Sequence, residues 1–153
     1  MKIEKLAGEQ RIGFMNKWDK AHMKAAEVYA QLSSAKRLQV GAVIVKDNRI
    51  ISIGYNGMPA GWTNECETTD EYGNMPVTKP EVLHAETNAI AKVARSGESC
   101  EGATLYTTHS PCLDCAKLIY QAGISRVVWK HQYKNDAGNV FLVTAGVDVG
   151  HIE

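Results

Sequence analysis

The sequence lacks a surplus of charge of either sign: 17 Lys and Arg balance 17 Asp and Glu. A chain that grips a polynucleotide displaces counterions with a basic excess, so neutrality counts against a nucleic-acid partner. Aromatic residues are scarce, at 7%, which counts against stacking platforms for single strands. No apolar run approaches the roughly 18 residues of a membrane span. The N-terminus, Met1-Lys2-Ile3-Glu4-Lys5-Leu6, lacks the apolar stretch of a secretory signal, so a cytoplasmic location is expected. There are only four cysteines. In a reducing compartment, closely spaced cysteines point to metal or redox chemistry rather than a disulfide framework. What is present is ordinary globular composition, 44% hydrophobic and 22% charged. No repeat or linker divides the chain, and 1–153 is expected to form a single domain with a sizeable core.

From Ile12 to Ser33 the apolar residues Phe14, Trp18, Ala21, Ala25, Val28, Tyr29 and Leu32 fall at helical spacing. Two β-rich runs follow, Val40 to Lys46 and Arg49 to Tyr55, and Asp47-Asn48 between them predicts an antiparallel hairpin. Residues 56–83 break the pattern with three glycines and three prolines among Gly57, Pro59, Gly61, Gly73, Pro76 and Pro80. A connection this long is usually functional or has structure of its own. Helical spacing returns from His84 to Arg95. Thr104 to Thr108 reads as a strand, Pro111 to Gln121 as a helix with proline in its first turn, and Arg126 to Lys130 as a strand. Asn139 to Ala145 reads as a helix and Val147 to His151 as a short edge strand. This order predicts an α/β layered domain whose sheet begins antiparallel and continues parallel.

Two segments carry the chemistry: His84-Ala85-Glu86 and Pro111-Cys112-Leu113-Asp114-Cys115. One imidazole and two thiolates form a ligand set that suits zinc. Three protein ligands leave the fourth tetrahedral position open, as catalytic sites do. Both segments fall at expected helix N-termini, where unpaired N–H groups favour an ionised thiol. Glu86, two residues beyond His84, does not share its helical face, but its carboxylate can reach a water at the open position. Other readings of the same residues stand beside this one. Cys-x-x-Cys at a helix start is also a redox pair, or half of a structural zinc site completed by Cys66, Cys100 or His109. His-x-Glu followed by Pro-Cys-x-x-Cys is the signature of zinc deaminases.

Here the sequence resembles the cytidine deaminase superfamily, and within it the deoxycytidylate (dCMP) deaminases, including those of bacteriophages. The resemblance rests on Val40-Gly41-Ala42-Val43-Ile44-Val45, Gly54-Tyr55-Asn56-Gly57-Met58-Pro59-Ala60-Gly61, His84-Ala85-Glu86-Thr87-Asn88-Ala89-Ile90 and Ser110-Pro111-Cys112-Leu113-Asp114-Cys115-Ala116-Lys117. It implies a three-layer cytidine-deaminase-like fold, a mixed five-stranded sheet flanked by helices. It implies hydrolytic deamination of dCMP to dUMP and ammonia, supplying thymidylate synthesis; deamination of dCTP or another nucleobase is the alternative.

By the same resemblance, His84, Cys112 and Cys115 hold one Zn2+ and Glu86 is the proton shuttle. Asn56 reaches the sugar hydroxyl, backbone near Ser110 and Pro111 holds the cytosine edge, and Tyr133 lies near the phosphate. The phosphate also needs a cation, and Arg95, Lys117, Arg126, Lys130 and Lys134 are available. The family is typically a homohexamer, activated by dCTP with Mg2+ and inhibited by dTTP. The effector is expected at Gly57, Met58 and Pro59, with Arg95 as a relay or interface residue. Two departures stand out. Some phage relatives hold a further structural zinc in the long loop, but here that loop offers only Cys66 and no histidine, so a second zinc is not expected. His109 stands where an apolar residue is common.

Overall fold

The computed structural model describes residues 15–74 and 76–153. The expected helix start at Ile12, with Phe14, and the N-terminal Met1 to Leu6 lie outside the described residues. The chain runs α1 (Lys17–Ala30), β1 (Gly41–Lys46), β2 (Arg49–Tyr55), β3 (Glu67–Thr69), β4 (Pro76–Thr78), α2 (Ala85–Ala94), β5 (Thr104–His109), α3 (Leu113–Gln121), β6 (Arg126–His131), α4 (Ala137–Thr144) and β7 (Asp148–His151). Five strands form one sheet in the order β2-β1-β5-β6-β7, and β3 pairs with β4 separately. β1 is antiparallel to both β2 and β5, whereas β5, β6 and β7 are parallel.

Alternation along the strands builds two cores. Val43, Val45, Tyr106 and Val128 pack with Met23 and Ala26 of α1 on one face. Ala42, Ile44, Leu105, Val127 and Trp129 pack under α2, α3 and α4 on the other. The result is the expected three-layer mixed sheet. Asp47 and Asn48 both adopt positive φ, 50° and 59°, as a tight hairpin turn requires.

Three expectations need correction. The first helix, expected to run to Ser33, is described from Lys17 to Ala30, with Asn16 and Asp19 forming a capping box before it. Its buried face is also not the apolar one read from the sequence: Trp18, Val28 and Leu32 are exposed, while Asp19, His22, Met23, Ala26 and Ala30 face inward. Polar Asp19 can lie inside because partners elsewhere in the chain meet it. Finally, Pro111 precedes α3 rather than opening it. Cys112 takes the N-cap, its sulfur 3.5 Å from the Cys115 amide.

α2 lies directly on the hairpin. A Cβ at Gly54 would overlap the Ala85 carbonyl, so glycine permits this approach. Ser52 Oγ donates to the Ala89 carbonyl at 2.8 Å, and Asn88 Nδ2 to that of Tyr55 at 3.0 Å. Gly57 and Leu83 exchange backbone hydrogen bonds of 3.1 and 2.8 Å, pinning the chain just before His84. Among the described residues, no helix is long and apolar enough to cross a membrane.

Candidate metal centre and active site

Two helix starts meet beyond the C-terminal end of β5. His84 is the N-cap of α2 and Cys112 that of α3. Cys115 lies three residues further, so both sulfurs fall in the first turn. His84 Nδ1 is 3.2 Å from Cys115 Sγ and 3.6 Å from Cys112 Sγ. Zn–N of about 2.05 Å and Zn–S of about 2.3 Å at a tetrahedral angle separate N and S by about 3.6 Å. The donor set therefore fits such an ion. Among the described residues, these three are the group whose donor atoms converge within 4.8 Å. Cys66, Cys100 and His109, raised as completing ligands, lie outside it.

The electrostatics suit a cation. Hydrogen bonding to the Cys112 sulfur pushes the His84 imidazole up, against burial. Hydrogen bonds from Cys115 and His84 push the Cys112 thiol down, while the Cys112 sulfur and burial push Cys115 up. A cation bound there would displace the thiol proton. Glu86, 4% exposed, lies beside them. Burial pushes its carboxyl up, against the pull of hydrogen bonds from Thr107 and Cys115. Thr107 Oγ1 reaches Glu86 Oε1 at 2.8 Å.

This corner opens into a cavity of about 310 Å³, within the range of small-ligand sites. His84, Glu86 and Cys112 line it together with Asn56, Ser110, Tyr133 and Lys134. Asn56 is partly committed to the fold. Its Oδ1 accepts from the Val40 amide at 2.8 Å and its Nδ2 donates to the Leu38 carbonyl at 2.7 Å. Ser110 is buried, and its Oγ accepts from the Tyr133 amide at 2.8 Å. The Lys134 ammonium lies 5.2 Å from the centre of the Tyr133 ring.

The other proposed phosphate cations are not brought to the cavity. Arg126 forms a bidentate pair with Asp19, at 2.7 and 3.0 Å. Lys130 is paired with Glu27, and Lys117 with Asp114 at 3.3 Å. Arg95 is the exposed C-cap of α2. Gly57, Met58 and Pro59 are half-buried and do not line the cavity.

Sequence reasoning missed Arg37. It lines the cavity and reaches Thr78 Oγ1 on β4 at 3.0 Å, while its amide and that of Lys36 donate to Glu67 Oε2 on β3 at 3.1 and 2.9 Å. Its position in the unassigned stretch after α1 was the available signal. Cys66, 1% exposed, forms part of the same wall. His109 lines the cavity too, its ring 5.1 Å from that of His131; burial and His131 hold its imidazole down.

The sequence model of the cytidine and deoxycytidylate deaminase zinc-binding region matches residues 16–131. A deoxycytidylate deaminase of Enterobacteria phage T4 is 39% identical, across 85% of this chain and 87% of its own. One of Mycobacterium phage D29 is 41% identical, across 73% and 93%. The solved structure of a dCMP deaminase from the cyanophage S-TIM5, in complex with dCMP and dUMP, superposes with a TM-score of 0.84. It is 44% identical, across 91% of this chain and 99% of its own. The converging donors, the buried glutamate and these likenesses together make this chain a member of the zinc-binding cytidine and deoxycytidylate deaminase family.

Proposed function

We propose that this chain hydrolyses dCMP to dUMP and ammonia, supplying dUMP for thymidylate synthesis. The observation that carries the reading is the convergence of His84, Cys112 and Cys115 beside the buried Glu86, with His84, Cys112 and Glu86 lining one cavity. The phage relatives named for this reaction support it.

His84, Cys112 and Cys115 would hold the zinc. Bound there, zinc supplies the Lewis acidity that lets a water be deprotonated near neutral pH. Glu86 takes a proton from the attacking water and delivers it to the ring nitrogen beside the carbon under attack. It then takes the second proton, from the hydroxyl now on that carbon, and delivers it to the amine, which leaves as ammonia, so the carboxylate ends as it began. Asn56 and Ser110 orient sugar and base, and Tyr133, Lys134 and Arg37 supply the phosphate end.

Regulation belongs to the same proposal: dCTP with Mg2+ activates, dTTP inhibits, and the active form is a cytoplasmic homohexamer of one-domain chains spanning 1–153. The Gly57–Leu83 bridge supports this, because it ties the Gly57-Met58-Pro59 loop to the residue before His84. Exposed Trp18 and Val28 on α1 and Leu32 just after it, with Leu118 and Tyr120 on α3, offer apolar surface to neighbouring copies. Arg95, exposed at the end of α2, would act at such a contact.

The test is an ultraviolet deamination assay on dCMP, dCTP, deoxycytidine and guanine in parallel, with zinc determined on the same sample. The dCMP arm is run with and without dCTP and Mg2+, and sedimentation reports assembly. Turnover of dCMP above the other three supports the reading. No dCMP turnover by protein holding one zinc per chain refutes it, and preference for dCTP replaces the substrate.

A further inference from the structure

Thr107 carries one hydroxyl hydrogen and faces two acceptors. It lies on β5, fully buried. Its Oγ1 is 2.8 Å from Glu86 Oε1 and 2.9 Å from the His109 carbonyl oxygen. A hydroxyl donates one hydrogen bond, and a backbone carbonyl only accepts. The two contacts therefore compete for one hydrogen. Both lie at hydrogen-bond distance, so Thr107 ties the Glu86 carboxyl to the backbone of β5.

Resting on the reading of Glu86 as proton shuttle, we propose that Thr107 is a positioning residue for that shuttle. Its hydroxyl holds Oε1 of the carboxyl group, so Oε2 is the oxygen that Thr107 leaves free to carry the travelling proton. The Thr107 O–H bond never breaks. The proton balance is that of Glu86 alone, from water to substrate. Thr107 thus keeps the carboxyl in one plane, and orientation of this kind is a large part of catalytic efficiency. A threonine in a strand needs no such role, since β-branched residues favour strands. The second acceptor is what singles it out.

Two variants separate positioning from packing. Thr107→Val keeps the shape and removes the hydroxyl; Thr107→Ser keeps the hydroxyl and removes the methyl. For dCMP, the Val variant is expected to lose about tenfold in kcat with KM within about twofold and zinc content unchanged. The Ser variant is expected within about twofold of wild type. Packing alone predicts the reverse order. A readout independent of turnover is the infrared carboxylate band of Glu86, isolated by subtracting the Glu86→Gln spectrum. It is expected to shift in the Val variant and to stay in place in the Ser variant. Wild-type kcat in the Val variant, or an unmoved band, overturns the proposal. If the wild-type protein fails to deaminate dCMP, the functional reading falls, and the infrared arm still decides whether Thr107 holds Glu86.

Discussion

Tyr106 and Thr107 are neighbours on β5, and each gives its hydroxyl to a buried carboxylate, on opposite faces of the sheet. Tyr106 Oη donates to Asp19 Oδ1 at 2.6 Å, where Arg126 completes a bidentate pair. Burial pushes the Asp19 carboxyl up, but hydrogen bonds from Arg126, Tyr106 and the Asn16 amide outweigh it and hold the group below its ordinary value. On the other face burial wins, and the Glu86 carboxyl is held above its ordinary value. Asp19 is a fixed charge, sealed under α1. Glu86 faces a cavity. The difference teaches that burial alone does not mark a functional carboxylate; the marks are incomplete neutralisation and an opening.

The comparison predicts unequal costs. Removing the Glu86 charge should be nearly silent in stability and ruinous in turnover. Glu86→Gln is expected to lose about 10²–10⁴-fold in kcat for dCMP, the usual share of general acid–base work, while zinc content stays at the wild-type level. Near-normal turnover would erase the contrast between the two faces. Asp19→Asn should do the opposite. Breaking a buried pair costs about 3–5 kcal/mol; the Arg126 side chain remains 27% exposed, so about 2–3 kcal/mol is expected, read from urea midpoints, with kcat unchanged per folded molecule.

The same pair sharpens the comparison through pH. The folded Asp19 carboxyl titrates below its unfolded value of about 3.9. Its stabilisation is therefore complete above that value and is lost as pH falls through the folded one. The gap between wild type and Asp19→Asn should be widest near neutrality and narrow below about pH 4. A gap that widens in acid would mean that Asp19 is not the stabilised charge described. The smallest effect is expected at the cavity rim. Arg37→Ala should raise KM for dCMP about tenfold, the loss of one charge-assisted contact, whereas Lys117→Ala, whose partner is Asp114, should leave KM unchanged.

Much of this was legible in the chain. The hairpin followed from Asp47-Asn48 between two β-rich runs, and the metal corner from residue types and spacing, because both are local. The misses share a cause. Arg126 and Lys130 read as free cations, since their partners Asp19 and Glu27 lie more than a hundred residues earlier. The same pairing hid the true inner face of α1, which contains an aspartate. β3 and β4 have three residues each, too few for alternation to register, so the wall that carries Arg37 stayed invisible. Thr107 looked like any strand threonine until its two acceptors were in place.

The helix α4 supplies no donor to the cluster, yet it bears on it. A Cβ at Gly138 would overlap the Pro111 carbonyl and crowd that of Cys112, so the backbone of α4 rests directly on the turn that presents the sulfurs. Any side chain there would push against that turn. The C-terminal helix is in effect a backstop for the donor cluster, and shortening the chain before it is expected to leave that turn without its support.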